Sequence, residues 1–355
     1  MSSSAAVLFP SLLALALAPA CDRTPEAKAN ATPPPPTAAS VARAEKPAEA
    51  PKASSYQLAG SARVVAIGDI HGDLNALRHA LKLAGAIDSD DRWIGGKELT
   101  VVQTGDLLDR GDQDREVLDV IEKLENDAKA AGSAFIVLNG NHELMNSSFD
   151  FRYVTHKSFS SFDEYRGQAG AFEGRMPDEQ RGRAAALMPG GPYALKLAPH
   201  LTVARVGDSL FAHGGVLPAH IEYGLDRLNS EASAFLSGKL RALPPALSAE
   251  DSPVWTRAYG APEVDDATCE ILGRVLKEVG AKRLIVGHTV QKGGITSSCQ
   301  ERVFRIDVGL SAYYGDNPAQ VLEITPKGTR VLSVSTPGST GKTSQSAGPA
   351  LHSSP

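Results

Sequence analysis

The sequence predicts an α/β fold, and three observations carry that prediction. Short apolar runs, several of them ending in glycine, alternate with stretches whose leucines and valines recur at helical spacing. Polar clusters rich in Asp, His and Gly follow those apolar runs directly, where strands would end. The chain has 355 residues, 42% hydrophobic and 22% charged, which suits one large domain or two modest ones with a substantial core.

Residues 63–68 are the first buried strand, and Leu74, Leu77 and Leu81 then mark one helix face. A second unit repeats the pattern, with a strand at 99–103 and Val117, Ile121, Leu124 and Ala128 on a helix. A third strand is expected at 134–140, and a hairpin at 201–212. A helix carries Cys269, Leu272, Leu276 and Val279 on one side, and strands at 283–286, 302–308 and 320–325 close the domain. This alternation implies an α/β sandwich. Residues 154–260 hold helical runs and loops, which read as a cap beside the site.

The ends differ from the middle. Residues 5–18 are apolar but too short to span a bilayer comfortably, and small residues lead into Cys21. Residues 1–21 therefore read as an export signal. They resemble a bacterial lipoprotein signal, which implies lipid on Cys21, a membrane anchor and a periplasmic or membrane-attached protein. A plain secretory signal or a misassigned start is the other reading. Residues 22–60, rich in Ala, Pro, Lys and Glu, cannot bury enough apolar surface to fold and read as a spacer. Residues 336–355 read as a disordered tail, leaving 61–335 as the folded domain. With Cys21 lipidated, Cys269 and Cys299 remain; an oxidising compartment permits their disulfide, and two buried thiols are the alternative.

A formal net charge of −5 gives no basic footprint, so a nucleic-acid partner is not expected. An anionic substrate would have to be held by local cations.

The strand-end clusters are Gly-Asp-Ile-His-Gly at 68–72, Gly-Asp-Leu-Leu-Asp-Arg-Gly at 105–111, Gly-Asn-His-Glu at 140–143, His-Gly-Gly at 213–215 and Gly-His-Thr at 287–289. Open α/β sheets place ligand sites outside the carboxyl ends of strands, so the clusters should face one crevice. Asp69, His71, Asp106, Asn141, His213 and His288 offer carboxylate, imidazole and amide oxygen without thiolate. That mixture suits Mn, Fe or Zn. A lone Asp there is commonly a helix cap and a lone His a satisfied core residue. Six together point to a metal centre.

The order of these motifs resembles the calcineurin-like metallophosphoesterases, and within them the PPP-type phosphatases, over residues 64–324. The resemblance implies two β-sheets flanked by helices (α/β/β/α), an inserted helical cap and a dimetal phosphoesterase site at one edge. It implies two divalent metal ions, manganese first, with iron or zinc as alternatives. Asp69, His71 and Asp106 would hold one, and Asp106, Asn141, His213 and His288 the other. One carboxylate can bridge cations ~3.5–4 Å apart, and a water activated between them would attack phosphorus in line. By the same resemblance His142 protonates the leaving oxygen while Asp109 holds its imidazole. Arg110 and Arg257, with Asn141 and His142, would grip the phosphate, since guanidinium forks match its oxygens. Glu143 reads as structural. His79, His156, His200, His220 and His352 lie outside the motifs and are given no role.

Further detail is similar to the Shewanella-like subfamily: Gly-Asn-His-Glu-Leu-Met-Asn at 140–146, Phe-Arg-Tyr-Val at 151–154, Trp-Thr-Arg-Ala-Tyr at 255–259, and Gly-His-Thr-Val-Gln at 287–291 leading to Arg-Ile-Asp-Val-Gly-Leu-Ser at 305–311. The implied activity is phosphate-monoester hydrolysis, most specifically on phosphoproteins. Asn139 replaces the arginine typical of eukaryotic Ser/Thr phosphatases, and their Ser-Ala-Pro-Asn-Tyr signature is absent, which leaves room for phosphotyrosine. Phe149 stands where the subfamily has glycine. The competing readings are hydrolysis of a dinucleoside polyphosphate or other small phosphate, and a tethered metal- or phosphate-binding module without catalysis. The last needs no proton donor.

Overall fold

The computed structural model describes residues 55–333 apart from 169, 173 and 262. The export segment with Cys21, the spacer up to residue 54, the tail from 336 and His352 lie outside the described residues. No helix among the described residues is long and apolar enough to cross a membrane.

Eleven strands form among the described residues: β1 (Gln57–Leu58), β2 (Arg63–Ile67), β3 (Leu99–Gln103), β4 (Ala134–Val137), β5 (Val203–Val206), β6 (Ser209–Ala212), β7 (Arg283–Val286), β8 (Thr296–Ser298), β9 (Val303–Arg305), β10 (Gln320–Thr325) and β11 (Gly328–Ser333). One sheet has the order β11-β10-β2-β3-β4 and the other β1-β5-β6-β7-β9-β8. The strands that precede the polar clusters pair in parallel, β2 with β3, β3 with β4, and β6 with β7. Parallel pairing sends their carboxyl ends to a common edge.

Side-chain alternation decides what each face buries. Val64 and Ala66 of β2 join Val102, Phe211, Ile285, Phe304, Leu322 and Ile324 in a core between the sheets. Val65 and Ile67 turn the other way, under α1 (Leu74–Leu83) and α2 (Asp114–Ala130), with Leu77, Leu81, Val117 and Ile121. Strands buried on both faces read as unbroken apolar runs, as 63–67 and 99–103 do. The fold is thus two mixed sheets flanked by helices, as expected.

Two boundaries differ from expectation. Composition placed residues 57–58 in the spacer, yet they form β1 against β5. Tyr56 donates its amide to Asp226 Oδ1 at 2.7 Å and its ring packs on the core, so ordering begins before residue 61. The cap expected over 154–260 is split, because the apolar hairpin β5–β6 belongs to the six-stranded sheet. Its helices fall into two stretches. One holds α4 (His156–Ser160), α5 (Asp178–Leu187) and α6 (Pro192–Leu197), which follow the short α3 (Asn141–Ser147); the other holds α7 (Pro218–Tyr223), α8 (Leu225–Leu236) and α9 (Pro245–Ser248). After these comes α10 (Asp266–Val279), whose Cys269 is disulfide-bonded to Cys299. That resolves the choice the sequence left open.

Candidate active site

The strand-end turns are tight enough to push ordinary residues into glycine's conformational territory. His71, Asp106, Asp109, Arg110 and His288 all have φ between 49° and 71°. Such positions cost of order 1–3 kcal/mol each and persist where surrounding contacts fix them. Glu143 supplies many of those contacts. Its Oε2 accepts from the amides of Asp106 at 2.9 Å and Gly140 at 2.7 Å, and its Oε1 from Leu107 at 2.8 Å. Two glycines make room: a Cβ on Gly140 would strike the Asp106 carboxylate, and one on Gly287 the Asp69 carboxylate.

All six predicted donors are buried and meet at the shared edge. Three imidazoles are oriented by backbone carbonyls: His71 Nδ1 lies 3.0 Å from Leu108 O, His213 Nδ1 3.0 Å from Thr104 O, and His288 Nε2 3.1 Å from Trp255 O. This arrangement aims each remaining nitrogen at Asp106 and its neighbours, the pattern by which ligating histidines are held. His213 Nε2 stands 3.1 Å from Asp106 Oδ2, 2.9 Å from Asn141 Oδ1 and 3.1 Å from His288 Nδ1. His71 Nε2 is 3.7 Å from Asp106 Oδ2. Asp69 sits behind His288, accepting its amide at 3.1 Å.

The donors fit divalent cations. Burial pushes the His71 imidazole down to about 4 and that of His288 to about 2, so both present lone pairs at neutral pH. His213 Nε2, His288 Nδ1 and two oxygens then crowd together, and acceptors facing acceptors repel unless a proton or a cation lies among them. Burial, followed by the charges of Asp307 and Asp106, raises the Asp69 carboxyl well above the usual range. Among the described residues, neither Asp69 nor Asp106 has a lysine or arginine partner within 4 Å. Metal charge would answer both problems.

Beside this cluster, His142 Nδ1 is 2.6 Å from Asp109 Oδ2. Burial opposes a charge on His142, but the Asp106 and Asp109 carboxylates outweigh it and push the imidazole up to about 9. Its Nε2 is 3.8 Å from Asp106 Oδ2, so His142 borders the same donors, with its ring held through Nδ1 by Asp109.

Both predicted arginines lie without a carboxylate partner among the described residues. Arg257 Nη1 donates to His288 O and Thr289 Oγ1, each at 2.9 Å, which tethers it to the loop bearing a candidate ligand. The Arg110 guanidinium lies among the rings of Tyr153, Tyr313 and Tyr314, at 4.7, 5.3 and 5.6 Å from their centroids. Tyr153 and Tyr313 are exposed. The sequence reading had assigned these tyrosines no part.

Other residues were also missed. Asp307 is buried beside Asp69, and burial raises its carboxyl to about 6. Arg183, Asp114 and Asn146 surround Asp109. The histidines left without a role have other partners or surroundings: His156 faces Glu179, His200 faces Glu125, His220 caps α7 through Leu217 N, and His79 is exposed on α1. Phe149 adopts φ 64°, the left-handed conformation that glycine takes at least cost.

Residues 62–292 match the calcineurin-like phosphoesterase family model. The chain is 41% identical over 307 residues to Shewanella-like protein phosphatase 2 of Arabidopsis thaliana, covering 76% of this chain and 77% of that one. It is 28% identical over 271 residues to Shewanella-like protein phosphatase 1 of Plasmodium berghei, covering 74% and 71%. Among solved structures it resembles a cold-active protein-tyrosine phosphatase of a psychrophilic Shewanella species, with TM-score 0.62, 26% identity and coverage of 79% and 82%. Motif order, sheet topology and sequence similarity agree: this chain belongs to the calcineurin-like phosphoesterase family, in its Shewanella-like phosphatase branch.

Proposed function

We propose that the chain is a metal-dependent phosphomonoesterase that removes phosphate from phosphoproteins, with aryl phosphates such as phosphotyrosine as its preferred class. The observation that carries this reading is the buried meeting of the His71, His213 and His288 ring nitrogens with Asp106 and Asn141, beside a His142 whose Nδ1 is held by Asp109. Asp69, His71 and Asp106 would hold one divalent cation, and Asp106, Asn141, His213 and His288 a second, with manganese the ion expected. When bound, the two cations supply a nucleophilic water at neutral pH and positive charge against the phosphoryl oxygens.

The chain's own groups account for the rest. Arg110 and Arg257 bind and orient the phosphate, being permanently charged and, among the described residues, without a competing carboxylate. His142 Nε2 gives its proton to the departing oxygen, while Asp109 holds Nδ1 and keeps the ring charged. The exposed rings of Tyr153 and Tyr313 beside Arg110 offer an aromatic wall to an aryl leaving group. A solved relative named as a protein-tyrosine phosphatase supports the same substrate class.

Export, with lipid on Cys21, is proposed from the sequence alone; the mass of the mature N-terminal peptide tests it. The catalytic reading is tested by a panel of phosphotyrosine peptide, phosphoserine peptide and diadenosine tetraphosphate with the manganese-loaded chain. Phosphotyrosine peptide should be turned over fastest. Faster turnover of the dinucleotide would replace the phosphoprotein reading, and bound metal with no turnover at all would leave a binding module.

A further inference from the structure

Asp109, which faces His142, is also gripped from α5, a segment the mechanism does not otherwise use. Arg183 is wholly buried, with 0% exposure, and every nitrogen of its fork donates a hydrogen bond. Nε donates to Asn146 Oδ1 at 2.7 Å and Nη1 to Ser158 Oγ at 2.9 Å. Nη2 donates to Asp109 Oδ1 at 3.0 Å and to Asp114 Oδ2 at 2.6 Å. Asn146 Nδ2 donates to the same Asp109 Oδ1 at 2.9 Å and to His142 O at 2.9 Å. The Asp114 carboxylate accepts the Asp109 amide at 3.1 Å, fixing a residue whose φ is 71°.

These bonds divide the labour of one carboxylate. Oδ1 of Asp109 is occupied by Arg183 and Asn146, which leaves Oδ2 to His142 Nδ1 at 2.6 Å. Without the guanidinium, Asp109 could rotate toward whichever donor remained.

We infer that Arg183 is a positioning residue for proton donation, locking the Asp109 carboxylate so that the His142 ring points its Nε2 proton at the leaving oxygen. The inference rests on the proton-donor role proposed for His142, and the experiment separates the two. The metal-loaded full chain is assayed on dinitrophenyl phosphate, whose phenolate departs without help, and on phenyl phosphate, whose oxygen needs a proton. Metal content is measured alongside.

His142→Asn should lower kcat/KM for phenyl phosphate ~100-fold or more beyond its effect on dinitrophenyl phosphate, the usual scale of general-acid help. Arg183→Met should show the same preference at ~10–100-fold with metal content unchanged. Arg183→Lys, which keeps the charge but loses the fork, should fall between. Ser158→Ala, which leaves Asp109 untouched, should affect both substrates alike. If Arg183→Met does not fold, the Lys variant decides by the same ratio.

Equal losses on both substrates in the Arg183 variants, or loss of metal, would overturn the inference while leaving His142 as the acid. Absence of leaving-group preference in His142→Asn would overturn the acid itself, and the positioning role with it.

Discussion

Replacing Glu143 by glutamine puts an NH2 group where one carboxylate oxygen now accepts two backbone amides. Oε2 holds Asp106 N and Gly140 N at 2.9 and 2.7 Å, and Oε1 holds Leu107 N and Leu108 N at 2.8 and 3.3 Å. Whichever way the new amide turns, two acceptor contacts become donor–donor contacts. Hydrogen bonds to a charged acceptor contribute about 1.5–3 kcal/mol each, so two of them amount to roughly 3–6 kcal/mol. Part of this is recovered, because burial and the Asp106 charge already raise the Glu143 carboxyl above its usual range. A net loss of about 3–4 kcal/mol is expected, or ~10 °C in melting temperature for a domain of this size. Thermal unfolding of metal-loaded and chelator-treated protein measures it. The left-handed Asp106 turn would relax with it, so metal affinity should fall as well. A shift below about 1 kcal/mol with turnover abolished would refute the scaffold role and make Glu143 a participant in the chemistry.

The Cys269–Cys299 bond spans a sequence separation of 30, and its reduction should cost about 3–4 kcal/mol of stability by the chain-entropy argument. Denaturant midpoints with and without reductant check this; coincident curves would contradict it. Glu323 of β10 faces Arg330 across the strand pair and also meets Arg63, contacts that hold its carboxyl below the usual range against its burial. A depressed carboxyl gives stability that is complete above its unfolded value and is lost as pH falls through the folded one. Acid titration of stability should therefore be shallower in Glu323→Gln by about 1 kcal/mol, discounted for the exposed arginines. Identical acid profiles would count against the pairing. Tyr313→Ala should raise KM for phosphotyrosine peptide several-fold and leave phosphoserine peptide unchanged; equal effects would remove the aromatic wall from the account.

What the sequence revealed and what it hid follow from how locally each feature is encoded. Asp69, Asp106 and Asn141 could be found because metal chemistry demands particular side chains directly after strands, with glycines that admit the carboxylates. His213 and His288 were found by the same local pattern of apolar run, then His beside Gly. Arg183 had no such marker. It lies 74 residues from Asp109 on a helix rich in Arg and Ala, and only tertiary packing takes it from a plausible surface position to complete burial. The tyrosines around Arg110 come from two separate short turns, one at Tyr153 and one at Ala312–Tyr314, where no periodicity speaks. Strand β1 is two residues long, below what alternation can register. The disulfide required knowing that α10 and the turn at Cys299 lie 5.3 Å apart at their Cα atoms.

Counting metal is the most direct test of the central claim. Chelator-stripped protein titrated with manganese in a calorimeter should bind two ions per chain. Asp106→Asn, which removes the charge and one oxygen of the carboxylate that would serve both ions, should bind both much more weakly and lose phosphate-ester turnover. A wild-type chain that binds no stoichiometric metal, or an Asp106→Asn chain that still holds two ions and still turns over, would contradict the account.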